Sequence, residues 1–409
     1  MYFGKLRFLK KVCKILIKID KNQFDSSPIT IGGVPEGYEG VLLNDLVLLD
    51  QPILFVARDD RRMHSIKASF ELFGDIKNVL EFPAWDCLPY DRVSPKKDII
   101  ASRIKTLTSL NENNNINPRI ILTTISALLQ RVPVLNFFNG SSITFGRGNE
   151  INREILINFL NRNSYDRSET VMEQGEYAIR GGILDLYPPG YNHPIRLDFF
   201  GDEIERIRSF DAYSQRTDVE IECFKLQPFR EFLLDKGSIE RFRNRYRSTF
   251  GQIKNDDIVY ESVSRGINYS GIEHWLPLFF EKLDTLFDFI PNPIIVMDHQ
   301  LDDAIDSRLR TIKDCFDARL DSNNQKDTMV SEAIYNPIPI SELYIDRQEF
   351  EAKLCENKVI RIQPFETPSI LPNSFNANGK PGFSFVDLRI ESNESVYDTL
   401  NDNITQELN

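Results

Sequence analysis

The chain reads as an α/β protein interrupted by a small β-rich unit, and three observations predict this. Short, continuously apolar runs such as Pro52 to Ala57, Ile120 to Thr124 and Pro293 to Met297 have the pattern of strands buried on both faces of a parallel sheet. They alternate with helical segments, as a doubly wound layer requires. From Ser141 the texture changes to period-two alternation, in Ile183 to Tyr187, Ile195 to Phe200 and Glu203 to Phe210. That period belongs to strands with one buried and one wet face.

Taken in order, residues 1–25 place Lys5, Arg7, Lys10, Lys11, Lys14 and Lys18 among Leu6, Leu9, Val12, Leu16 and Ile19. This is a basic amphipathic helix. Residues 26–132 form the first part of the α/β domain. Here Ile29-Thr30-Ile31 leads into a glycine-rich loop and a helix from Val41 to Leu49, and Pro52 to Ala57 is a strand. Asp59 and Asp60 cap a helix running to about Phe73. Val79 to Phe82 and Ile120 to Thr124 are further strands, and Ile125 to Gln130 begins a helix.

Residues 133–222 form the inserted β-rich domain, with Ile143-Thr144-Phe145, a helix over Asn149 to Asn161, and the alternating strands. Residues 223–345 return to α/β texture, with a helix over Lys236 to Tyr246 and the apolar strand at Ile294. Residues 346–409 read as a linker and the start of a further domain, with the short run Phe385 to Leu388 and a polar tail.

Composition narrows the function classes. The chain has 409 residues, 41% of them hydrophobic, and carries 49 basic against 61 acidic residues, a net charge of −12. A protein that lived on phosphate contacts would more often be basic, so protein partners are favoured over bare DNA. Cys13, Cys87, Cys223, Cys315 and Cys355 lie far apart with no CxxC pair, and the four histidines show no ligand spacing. Reduced thiols, a cytoplasmic location and no metal are expected. No apolar run is long enough to span a bilayer.

The loop from Gly33 through Gly37 to Gly40 occupies the place of a phosphate loop, between the first strand and the first helix. A working loop needs a lysine to neutralise the phosphates and a hydroxyl to hold magnesium. Here Gly40 is followed by Val41 and Leu42, and Glu36 and Glu39 flank the turn. The loop is read as degenerate, with no cofactor of its own and no catalytic residue in this chain. Ser, Cys and His form no nucleophilic arrangement. Asp59-Asp60 and Asp302-Asp303 are read as helix starts rather than acid–base pairs.

The most informative stretch runs from Glu173 to Pro188. A charged, glycine-broken turn, Glu173-Gln174-Gly175-Glu176-Tyr177-Ala178-Ile179-Arg180-Gly181-Gly182, leads into the alternating run that follows. With Gly33 to Gly37, Ala57 to Met63, Phe82 to Asp91, Ser94-Pro95, Ile99 to Arg103, Ser209 to Asp211, Ser214 to Thr217 and Gly271 to Phe279, it resembles the N-terminal UvrB-homology module of the bacterial transcription-repair coupling factors. The resemblance covers about residues 30 to 300 in order. It implies a degenerate RecA/helicase-like domain interrupted by a small domain, laid out as UvrB-like domains 1a, 2 and 1b. It also implies a module that is no enzyme on its own and that docks the repair protein UvrA to bring excision repair to stalled RNA polymerase. ATP, magnesium, RNA polymerase and DNA belong, on this resemblance, to motor and polymerase-binding regions outside these 409 residues.

Within that frame Arg180 is expected to offer a fork of donors to an acidic partner, although a lone arginine is often merely solvated. Glu176 and Tyr177 are placed on the same turn, Tyr177 as an interface anchor, and Arg167 is expected to extend the patch. Trp85, Pro83, Pro89, Tyr90, Trp275 and the pair Phe279-Phe280 are read as core. Two alternatives stand beside the docking module. One is a helicase-like ATPase, against which count the missing phosphate-loop lysine and DExx box. The other is a DNA-binding module, which a steep salt dependence of binding would reveal.

Overall fold

The computed structural model describes residues 28–74, 79–111, 120–139, 142–253, 257–324, 335–368 and 371–380, together with 401 and 405. The expected basic helix at 1–25 and the run Phe385 to Leu388 lie outside these residues.

A seven-stranded, all-parallel sheet forms the larger part. Its strands are β1 (Ile29–Gly32), β2 (Ile53–Ala57), β3 (Val79–Phe82), β4 (Ile120–Thr124), β13 (Ile294–Met297), β14 (Lys358–Ile362) and β15 (Ser374–Asn376), in the order β15-β1-β14-β13-β2-β4-β3. β2, β4 and β13 are buried along their whole lengths, which is why their sequences are unbroken apolar runs. Helices α1 (Glu39–Leu46), α2 (Asp60–Phe73), α3 (Lys97–Asn111) and α4 (Ile125–Leu128) follow the first strands. Asp59 caps α2 by accepting the Arg62 amide, as its place before the apolar period predicts.

The inserted unit has a six-stranded sheet in the order β11-β10-β9-β8-β7-β6. Its strands are β6 (Asp166–Arg167), β7 (Glu176–Arg180), β8 (Ile183–Leu186), β9 (Ile195–Phe200), β10 (Glu203–Phe210) and β11 (Thr217–Glu220). Helix α5 (Arg153–Arg162) and a two-stranded ribbon of β5 (Ile143–Gly146) with β12 (Cys223–Leu226) accompany it. Tyr177, Leu184, Leu186, Ile195, Leu197, Phe199, Ile204 and Ile207 pack with Leu156, Phe159 and Leu160 of α5 and with Phe145, Phe224 and Phe229. The opposite face of the sheet is largely polar, as period-two alternation dictates.

Two boundaries differ from the sequence reading. A division at residue 222 falls one residue before β12, whose pairing with β5 and whose buried Phe224 tie it to the inserted unit. The stretch beginning at 346 is not a linker. It holds α10 (Arg347–Cys355), β14 and β15, and β14 is hydrogen-bonded between β13 and β1. Both misplacements arise because strand pairing is non-local and leaves no local mark.

Of the remaining helices, α6 (Lys236–Phe250), α7 (Ile258–Ser264), α8 (Leu301–Asn324) and α9 (Ile340–Leu343), α8 packs Leu301 and Ile305 with sheet residues, and all four contribute to a separate aromatic cluster. Their aromatic core contains Tyr90, Phe242, Tyr246, Trp275, Phe279 and Tyr344. Trp85, Tyr90, Trp275, Phe279 and Phe280 are all buried, so these rings form no stacking platform.

Buried ion pairs join the two parts. Arg103 of α3, fully buried, donates to Glu231 at 2.5 Å and 3.3 Å, with its guanidinium 4.1 Å from the Phe82 ring centre. Arg230 pairs with Glu273. Lys97, at the start of α3, lies 3.4 Å from Asp166, 3.6 Å from Glu173 and 3.6 Å from Glu176.

Candidate functional site

Two places answer to the residues singled out in the sequence: the outer face of the six-stranded sheet, and the glycine loop.

On the sheet, Glu176 to Arg180 are strand β7 rather than a turn. The turns lie on either side of it, at Glu173 to Gly175 and at Gly181-Gly182, where Gly175 and Gly181 take positive φ values of 83° and 57°. Strand geometry therefore sends these side chains to alternate faces. Tyr177 points inward and is 2% exposed, its hydroxyl donating to Asn161 at 2.7 Å, and burial raises its pKa. It is a core residue and not an exposed anchor. Glu176 faces the molecule's own chain. Its carboxylate accepts the amides of Met172 and Glu173 at 2.8 Å and 3.0 Å and lies near Lys97. Its position fixes the 172–173 turn.

Arg180 remains exposed at the end of β7. Its Nη2 donates to the Thr170 hydroxyl at 2.9 Å and to the Glu169 carbonyl. Arg167 is exposed on β6, in register with Tyr177. Residues in register share a face, so Arg167 stands on the Tyr177 side of the sheet edge, while Arg180, three positions along β7, projects from the opposite, outer face about 10 Å further along the strand direction. The structure thus keeps both arginines on the surface and withdraws Glu176 and Tyr177 from it.

The same outer face carries groups that the sequence reading did not single out. Register aligns Arg180, Ile183, Asp198 and Arg206 in one row, and Ala178, Asp185, Arg196 and Arg208 in the next. Asp185 is 2% exposed and accepts both donors of Arg196, at 2.7 Å and 2.9 Å. The Arg196 guanidinium lies 4.6 Å from the Phe210 ring centre, and Arg208 donates to Asp198 at 2.5 Å. These paired charges stiffen the face. Phe200, 79% exposed at the β9–β10 hairpin, is the largest apolar group near its tip. Alternation already contained that signal: with Leu197 and Phe199 inward, Phe200 must point out.

The glycine loop is closed by its own residues. Gly37, with φ at 92°, donates its amide to Glu39 Oε2 at 2.7 Å. Glu39 is 2% exposed, and its other oxygen accepts from Arg62 Nη2 at 2.6 Å. Arg62, also 2% exposed, reaches on to Asp298, with Nε at 3.1 Å and Nη2 at 3.0 Å from its two oxygens. These charges hold the Arg62 pKa above its usual value despite the opposing effect of burial. Gly40 has a packing role: an added Cβ would lie 2.4 Å from Ser69 Oγ and 2.5 Å from its backbone. Helices α1 and α2 meet there, and Gly40 donates to Ser69 Oγ at 3.1 Å. Asp302 and Asp303 do begin a helix, and Asp302 also pairs with Arg347 at 2.9 Å and Arg361 at 2.8 Å.

Among the described residues, no group of three or more His, Cys, Asp or Glu is arranged to hold a metal ion, and Cys87, Cys223, Cys315 and Cys355 are free. No helix among them is long and apolar enough to cross a membrane.

Comparison with known proteins adds identity to this geometry. Residues 143–232 match the family model of the UvrB interaction domain, a span that includes β12 and Phe229. The chain is 39% identical over 247 residues to the transcription-repair-coupling factor of Escherichia coli, covering 60% of this chain and 21% of that protein. It is 37% identical over 270 residues to the factor of the same name from Haemophilus influenzae, covering 66% of this chain and 23% of the relative. The similarity to that of Rickettsia conorii is 27% identity over 328 residues, covering 80% of this chain and 29% of the relative. The chain thus spans between a fifth and a third of the length of these relatives. Residues 143–232 are similar to the UvrB interaction domain, and the chain around them is similar to part of the transcription-repair-coupling factors.

Proposed function

We propose that this chain is a recruiting module that captures the excision-repair protein UvrA through the outer face of its six-stranded sheet. The observation that carries the reading is the match to the UvrB interaction domain at 143–232, a span that leaves Arg180 exposed on the outer face and Arg167 exposed at the β6 edge. A fork of donors held by Thr170 on a stiff sheet suits an acidic protein surface, because a planar guanidinium loses little freedom when it pairs with carboxylates. Tyr177 supports this face from beneath, and Glu176 holds the neighbouring amides of Met172 and Glu173. The domain division that fits the pairing is an α/β layer with the β-rich unit inserted between β4 and β13.

The module acts in the cytoplasm without chemistry of its own. Arg62 fills the crevice beside the glycine loop, and the loop sequence has no phosphate-neutralising lysine. ATP-driven translocation on DNA and the contact with RNA polymerase belong to other regions of a full-length coupling factor. Purified chain and purified UvrA, titrated by calorimetry, test the reading. Saturable one-to-one binding that the Arg180→Ala/Arg167→Ala double variant weakens supports it. Absence of binding by the wild-type chain refutes it.

A further inference from the structure

Glu39, Arg62 and Asp298 meet beside the loop that follows β1, with Asp298 following the last residue of β13. Open parallel sheets bind ligands just outside the carboxyl ends of their strands. In a working phosphate loop, backbone amides aim at an anion, while a strand-end aspartate helps to hold the counter-cation. Here the Gly37 amide aims at the Glu39 carboxylate, 2.7 Å away. The cation opposite that carboxylate is the Arg62 guanidinium, gripped from behind by both oxygens of Asp298. The parts of an anion site are all present, and each is occupied by the chain itself.

One donor is left over. Arg62 Nη1 is buried and makes no hydrogen bond, although the exposed Glu36 carboxylate of the same loop lies 3.3 Å away. A buried guanidinium N–H without a hydrogen bond is costly, and its position beside Glu36 directs this one toward the loop. Gly37 is open as well, with no atom within 4 Å of where a Cβ would stand.

We propose that the glycine loop is an anion cradle filled from within: the Glu39 carboxylate is its resident ligand, and a cradle emptied of that carboxylate takes a small tetrahedral oxyanion such as phosphate. The inference is independent of the partner-docking reading. It explains how α1, α2 and β13 are held together without a nucleotide. It assigns Arg62 the place of the counter-cation rather than that of a surface charge turned inward.

The test uses the full chain and inorganic phosphate, with chloride at matched ionic strength as the comparison. Wild type should show only the non-saturating rise in melting temperature that phosphate gives folded proteins in general. Glu39→Ala should melt lower in chloride and recover in phosphate with a saturable dependence, and calorimetry should give a saturable phosphate heat that is absent from wild type. Adding Arg62→Met should abolish that response. Glu39→Gln, which keeps the shape and the acceptor for the Gly37 amide, should fold without a phosphate response. If Glu39→Ala is insoluble in chloride, recovery of folded protein in phosphate supports the proposal, and insolubility in both overturns it. It is also overturned if wild type responds equally, if folded Glu39→Ala does not respond, or if the response survives Arg62→Met.

Discussion

Arg180 donates from Nη2 to the Thr170 hydroxyl 2.9 Å away, so the exposed guanidinium is oriented by its own domain before any partner arrives. Preorganisation of this kind reduces the entropy lost on binding. It also separates two roles, since the bond lies at the surface and contributes little to folding.

Arg180→Ala should weaken UvrA capture by at least about tenfold, as a central interface arginine does, while the melting temperature stays nearly unchanged. Arg180→Lys should fall between the two, because it keeps the charge and loses the fork. Calorimetric titration and a thermal melt of each variant check this. Equal losses of affinity and stability would make Arg180 a structural residue.

The buried clamp should behave differently. Asp298→Ala leaves Arg62 facing Glu39 with half of its compensation gone, and breaking a buried pair from one side costs about 3–5 kcal/mol. Urea unfolding should show that loss as a lower midpoint with little change in slope. A midpoint within error of wild type would mean that water reaches the clamp.

Magnesium-ATP should give no saturable heat with the wild-type chain, because no lysine or hydroxyl follows Gly40 and the loop amide of Gly37 is already taken. Binding abolished by substitutions in this loop would overturn the closed-loop description.

His274 gives the fold an acid-sensitive element. It is 1% exposed, stands edge-on to Trp85 at 5.3 Å, and burial pulls its pKa down to about 4. A depressed histidine is neutral in the folded state and protonated in the unfolded chain between about pH 6.5 and 4. The unfolded state therefore binds more protons in that window, and stability falls as pH falls, by about 3 kcal/mol in all. Asp45 runs the opposite way, since burial raises it to about 6 and lowering the pH relieves the strain of its charge. The difference between wild type and His274→Gln, followed by urea unfolding across this range, isolates the histidine. Parallel curves would refute its role.

An inserted fragment cut at residues 143–232 should fold alone and give a dispersed NMR spectrum. A fragment ending at 222 should not, because it lacks β12 and the buried Phe224 and Phe229.

Much of this architecture was legible from local pattern. The apolar runs at Ile53, Ile120 and Ile294 became central strands, and the alternating runs at Ile195 and Glu203 became β9 and β10 with the expected faces inward. Asp59 was legible as a cap. Tyr177 was misplaced because the glycines on either side of it suggested a turn, whereas the strand begins already at Glu176 and alternation then sends the ring inward. The loop's missing lysine was plain, but what fills the loop was not. Arg62 and Asp298 are separated by 236 positions, and only the adjacency of strands across the sheet brings them together.

β1 sits between β14 and β15, so the first strand described here obtains both neighbours from the last stretch of described chain. On a ribosome the inserted unit is complete once residue 232 has emerged, but the layer that carries it cannot close until β15 follows. At usual synthesis rates that interval is on the order of ten seconds. Until β14 arrives late in it, both edges of β1 are unpaired, and a nascent chain of this design displays its inserted sheet before it has a finished scaffold.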